Sequence, residues 1–173
     1  MRNVETTDLL SLRKAESKDS LLFATIKAAA YDDDRSKSIP VPDQIPDWYY
    51  GTWYTGLCIP DEAEALRLFE NYDCYLLLLQ DKPIGIFWLH QEEASSLTLE
   101  DFCILPAYQN KGYGTAALHL IEEQFPENPV WQLSTPTFCF RNRHLYEKLG
   151  YQQIGTASNG SVILYEKRTV SPK

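Results

Sequence analysis

Two glycines one residue apart, Gly112 and Gly114, sit where an apolar stretch ending at Leu105-Pro106 meets an alanine- and leucine-rich stretch that starts at Thr115. The run Gln109-Asn110-Lys111-Gly112-Tyr113-Gly114-Thr115 constrains the fold more than any other segment. Paired glycines let the backbone turn tightly from a strand into a helix and leave its N–H groups uncovered. At the positive end of the following helix, those amides make a concavity suited to a phosphate-bearing ligand, and Lys111 adds a positive charge. A plain turn or helix cap would use the same glycines, so the flanking sequence has to decide.

Downstream, Ala117, Leu118, Ile121 and Phe125 recur at helical spacing until Pro126 ends the pattern, and His119 falls on the solvated side. Upstream, Ser96 to Leu105 has the length and composition of a strand. Strict alternation places Thr98, Glu100, Phe102 and Ile104 on one face, with Leu97, Leu99, Asp101, Cys103 and Leu105 on the other. A carboxylate among apolar neighbours is costly unless it is paired or hydrogen-bonded. At least one of Glu100 and Asp101 is therefore expected to face a cavity or a partner.

The remaining chain alternates strands and helices. Leu9 to Glu16 reads as a first strand. A first helix starts after Ser17 or Asp19, with Leu22, Phe23, Ile26 and Ala30 on its apolar stripe. Residues 31 to 60 carry Pro40, Pro42 and Pro46 and then Trp48, Tyr49, Tyr50, Trp53 and Tyr54, which predicts a long loop: an aromatic mini-core or a lid able to hold a cation. Asp61, with Glu64 three residues on, opens a second helix. Cys74 to Gln80 and Ile84 to His90 form a hairpin around Asp81-Lys82-Pro83, Val130 to Ser134 a fifth strand, and Asn142 to Leu149 a short helix stopped by Gly150. A terminal hairpin turns at Asn159-Gly160.

Composition narrows the functional classes. At 173 residues and 44% hydrophobic, the chain fits one domain spanning residues 1–173 with a sizeable core. A formal charge of −8 disfavours nucleic acid and suits a cationic partner. No apolar run reaches the roughly 20 residues of a membrane span, and the N-terminal stretch lacks a signal-peptide core, so a cytoplasmic location is expected. Four cysteines without a CxxC pair and three unclustered histidines argue against a metal site and a disulfide framework.

Two motifs in fixed order, LEDFCILPAYQNKGYGTAAL and RNRHLYEKLGY, make the chain resemble the GCN5-related N-acetyltransferase (GNAT) superfamily. The family's Gln/Arg-x-x-Gly-x-Gly/Ala signature is met by Gln109, Gly112 and Gly114, and Asn-x-x-x-Tyr-x-x-x-Gly-aromatic by Asn142, Tyr146, Gly150 and Tyr151. Thr135 to Phe140, between them, is bulkier and more apolar than is common in relatives. The resemblance implies an α/β GNAT fold: a mixed sheet of about six to seven strands flanked by about four helices, with the cofactor at the splay between strands four and five. It implies acetyl-CoA as acyl donor and no metal. By resemblance, Ile104 and Leu105 would pair with the pantetheine arm, and Gln109, Lys111, Gly112, Tyr113, Gly114 and Thr115 would hold the pyrophosphate. Asn142 would contact the cofactor, Tyr146 would sit near the sulfur, and Glu100, with Asp101 as runner-up, would take the amine's proton.

The function so implied is acetylation of a primary amine on a small cationic molecule by a monomer or homodimer with no nucleic-acid or membrane partner. The alternatives are acetylation of a protein N-terminus or lysine, and a non-catalytic module that binds acetyl-CoA.

Overall fold

Short runs rich in leucine, isoleucine and aromatics become strands, and each finds its neighbour through a turn or a helix. The computed structural model describes residues 9–37 and 59–169. In chain order the elements are β1 (Leu10–Lys14), α1 (Ser20–Lys37), α2 (Glu62–Asn71), β2 (Asp73–Leu79), β3 (Lys82–His90), β4 (Ser96–Ile104), α3 (Tyr113–Gln124), β5 (Val130–Pro136), α4 (Phe140–Lys148), β6 (Gln152–Ala157) and β7 (Val162–Arg168). The strands form a seven-stranded sheet in the order β1-β2-β3-β4-β5-β7-β6. Only β4 and β5 run parallel among these pairs. Among the described residues this is the mixed α/β sheet with four helices that the family resemblance implies.

The sheet is covered on both faces. On one, Phe23, Ala24, Ile26 and Ala30 of α1 and Ala65 of α2 pack on Leu76, Ile86 and Cys103. On the other, Leu118 and Ile121 of α3 and Tyr146 of α4 pack on Phe87, Leu97, Leu99, Trp131 and Leu133. Asp61 caps α2 by accepting from the Glu64 amide at 2.8 Å, as its spacing predicts. Ser20 Oγ donates to Glu62 at 2.6 Å and ties the two helices together.

Three expectations are corrected. First, α1 runs through Tyr31-Asp32-Asp33-Asp34 to Lys37, where an acidic run ahead of prolines suggested a loop. Its last turns gain an i,i+4 pair between Asp33 and Lys37 at 2.7 Å and a 2.7 Å bridge from Asp34 to Arg141 on α4. Leu22 lies on the exposed side of this helix. The aromatic segment 48–54 lies outside the described residues.

Second, β4 does not alternate strictly. Ile86 pairs with Cys103 and Trp88 with Glu100, so three steps on β4 oppose two on β3. The extra residue is a β-bulge centred on Asp101, whose φ is 47°. Beyond it the faces exchange: Ile104 joins the α3 side beside Ala117, and Cys103 joins the α1 side. Glu100 therefore does not share a face with Ile104. Third, the terminal hairpin closes through a 3₁₀ turn, Ser158–Gly160, rather than a two-residue Asn-Gly turn.

Candidate active site

Parallel strands β4 and β5 pair only from Ser96 to Leu99 and from Val130 to Leu133. Beyond Leu99 they splay, while β5 stays paired to β7 as far as Pro136. A cavity of about 770 Å³ occupies the opening. The bulge turns Glu100 and Asp101 toward it, β5 contributes Ser134 and Thr135, α4 contributes Asn142 and Tyr146, and α1 and α2 contribute Lys27, Asp34 and Glu64. Asn142 and Tyr146 stand one helical turn apart on the same face of α4, as their spacing requires.

The two adjacent carboxylates have opposite environments. Asp101 is enclosed by donors: Lys27 Nζ at 2.9 Å, Tyr31 Oη at 2.7 Å and Trp88 Nε1 at 3.0 Å. Burial opposes its ionisation, but the Lys27 charge and these hydrogen bonds outweigh burial and hold Asp101 below the usual carboxylate range. Glu100 meets the His90 ring, Oε1 to Nε2 at 3.6 Å. Burial and the neighbouring Asp101 charge push the Glu100 carboxyl upward, with His90 opposing. Asp101 is thus held in its ionised form, and the Glu100 carboxyl is pushed toward its neutral form.

Tyr146 is buried against Tyr151 and Tyr165, and burial pushes its phenol above the usual range. It remains a neutral hydroxyl at working pH, fitted to donate a hydrogen bond rather than to release its proton. Asn142 Nδ2 lies 3.5 Å from Thr135 Oγ1. Phe140, the last residue of the bulky run, is exposed and does not line the cavity, whereas Thr135, Pro136 and Cys139 do.

The glycine loop lies just past the end of β4. Gly112 adopts φ +84°, the left-handed conformation that a side chain resists, and Asn110 also has positive φ. Gln109 Nε2 donates to the Ile104 carbonyl at 2.7 Å and braces the loop onto the strand. The Lys111 ammonium folds back on the Ala107 carbonyl at 2.8 Å, and the Tyr113 ring lies 6.3 Å from that of Tyr108. Ile104, Leu105 and the loop from Gln109 to Thr115 flank the cavity rather than line it.

Lys27, Tyr31, Trp88 and His90 were not singled out by sequence reasoning. For Lys27 there was a signal: Phe23, Lys27 and Tyr31 follow one another at i+4, which places a lysine on the apolar stripe of α1.

A sheet opened between two parallel strands, with a glycine loop past the end of one and a carboxylate-rich cavity in the gap, is an arrangement open to an extended ligand along the free strand edge. The family model described as acetyltransferase (GNAT) family matches residues 42–151, more than half of the chain, and the chain belongs to that family. Among solved structures, the PaiA N-acetyltransferase of Thermoplasma acidophilum in complex with coenzyme A aligns with a TM-score of 0.67 at 18% identity, over 92% of this chain and 98% of that one. Spermidine N-acetyltransferase of Vibrio cholerae, solved with coenzyme A and spermine, aligns with a TM-score of 0.66 at 17% identity, over 95% and 98%. At these identities the likeness is one of fold. The uncharacterized protein YrkN of Bacillus subtilis (strain 168) is 28% identical over 97 residues, 54% of this chain and 52% of that protein. The chain thus spans about half the length of this curated relative.

Acetyl-CoA is the acyl donor that goes with this family, and the residues present fit it. From Glu100 onward, β4 has an edge without a β5 partner among the described residues, against which an amide-bearing chain could pair. The first-turn amides of α3 have no acceptor inside the helix, and its N-cap Gly112 offers no side-chain cap, which leaves them for an anionic group. Gln109 Oε1 is buried with no partner among the described residues, leaving an acceptor for a ligand N–H. Among the described residues, no group of three or more His, Cys, Asp or Glu side chains could hold a metal ion. No helix among them is long and apolar enough to cross a membrane.

Proposed function

We propose that the protein, as one domain, transfers an acetyl group from acetyl-CoA to the primary amine of a small cationic molecule. The observation that carries this reading is the contrast within the cavity: Glu100 has a raised carboxyl while Asp101, next to it, is committed to three donors. An alkylammonium must lose a proton before it can attack a carbonyl, which at pH 7 costs about 4 kcal/mol for a group near pKa 10. Glu100 would hold the cation and take that proton. Acetyl-CoA supplies the activated acetyl thioester. Tyr146 would donate a hydrogen bond toward the departing sulfur, and Asn142 would steady the donor. Backbone along Glu100 to Leu105 and amides from Lys111 to Thr115, braced by Gln109, would hold its two ends.

The charge of the cavity supports a cationic acceptor. Asp34, Asp61, Glu64, Glu100 and Asp101 line it against Lys27 and Arg67, five carboxylates to two cations. Thermal-shift titration with acetyl-CoA, followed by thiol release over a panel of amines and peptide N-termini, tests the reading. Release with small amines is expected. Stabilisation without release from any acceptor would instead indicate a binding module, and no stabilisation would remove the donor itself.

A further inference from the structure

The acceptor cavity already contains a primary ammonium. Lys27 projects from the apolar stripe of α1 with only 19% of its side chain exposed. Its Nζ lies 2.9 Å from Asp101 Oδ2, 3.2 Å and 3.3 Å from the two Glu64 oxygens, and 5.8 Å from the centre of the Tyr31 ring. Two carboxylates and an aromatic face are the groups with which proteins hold a free alkylammonium ligand. Burying a lysine is costly, and these partners compensate it: burial works against its charge, and Asp101 and Glu64 restore it.

We propose that Lys27 is a built-in occupant of the cavity's inner cation site and restricts the acceptor to amines with a single positive charge near the reacting end. The other carboxylates are distributed to match. Asp34 bridges to Arg141 at 2.7 Å, and Asp61 accepts from the Glu64 amide at 2.8 Å. Glu100 is left to receive the reacting ammonium. A second ammonium a few methylenes away would meet the like charge of Lys27 at Asp101 and Glu64, and repulsion inside a cavity is far stronger than in water. Specificity thus comes from a charge placed against the wrong substrate as well as from one placed for the right one.

The inference rests on the acetyl-transfer reading, and one comparison separates the two. Wild type, Lys27→Met, Lys27→Gln and Lys27→Arg are assayed with butylamine and 1,4-diaminobutane, and binding of 1,4-diaminobutane without acetyl-CoA is followed by calorimetry. Wild type is expected to favour butylamine in kcat/KM by threefold or more. In the Met and Gln variants the diamine-to-monoamine ratio should rise tenfold or more and diamine binding should tighten similarly, while the Arg variant keeps the wild-type ratio. A ratio unchanged within twofold in the neutral variants, with diamine binding unchanged, overturns the proposal. Should neither neutral variant fold, the wild-type proteins' preference decides, and a tenfold preference for the diamine, or tight diamine binding, overturns it. If wild type acetylates no amine, the transferase reading falls, while the calorimetric comparison still decides the role of Lys27.

Discussion

The first half of β4, Ser96 to Leu99, and its second half, Glu100 to Ile104, continue one strand with different surroundings. The first is paired to β5 throughout and to β3 at Thr98 and Leu99, and its Leu97 and Leu99 are sealed in the core. The second is bulged against β3, unpaired toward β5 and lined by a cavity. A β-ladder satisfies backbone groups so completely that it leaves nothing for a ligand. Where the ladder stops, carbonyls, amides and carboxylates become available. Chemistry is possible in the second half because the first half holds the strand in place.

Five substitutions probe this contrast, taken from the largest expected effect to the smallest. Asp101→Ala should cost about 3–5 kcal/mol in chemical denaturation, because it leaves Lys27 buried with one partner fewer. A loss under about 1 kcal/mol would mean that the Asp101 network does not hold the bulge. Glu100→Gln should lower kcat about 10²–10³-fold with little change in acetyl-CoA affinity by calorimetry. In wild type, the activity should fall as pH drops through the raised Glu100 value, because protonation removes the base, so the acid limb lies above the ordinary carboxylate range. If Asp101→Asn abolishes turnover and Glu100→Gln leaves it, the two roles are interchanged. Leu99→Ala, in the paired half, should cost about 2–3 kcal/mol of stability, with kcat near wild type below its melting temperature. Tyr146→Phe should slow turnover only about tenfold, the worth of one hydrogen bond. The alkaline side of the pH profile should keep its shape, since the raised phenol does not titrate there.

The glycine loop, the order of strands and helices, and the Asn142/Tyr146 helix were all legible because each rests on local spacing. So was the tension created by two carboxylates in one strand. Their orientation was not legible, since alternation assumes one residue for one residue across the ladder and the bulge at Asp101 breaks that count. No residue in the strand announces it: aspartate tolerates positive φ better than most, but equally sits in ordinary strands. The far end of α1 was hidden for another reason. Its Asp32-Asp33-Asp34 run is unfavourable in isolation and is held partly by Arg141, more than a hundred residues away in sequence. Lys27 is hard to read from the sequence because apolar residues mark a helix stripe, and here the informative position is the charged exception on it.

The bulge also sets what kinds of change the site can absorb. Its two faces are assigned by a residue count, whatever side chains fill the positions. Exchanging the Asp101 side chain breaks its contacts with Lys27, Tyr31 and Trp88 but leaves the residue count unchanged. Deleting Asp101 removes the bulge and restores one-for-one pairing with β3: Cys103 still faces α1 and Ile104 still faces α3, but one carboxylate remains where two successive ones stood on the cavity side. A single-residue deletion here should therefore spare the register of the sheet and cost the site, because only a strand with one residue too many turns two successive side chains the same way.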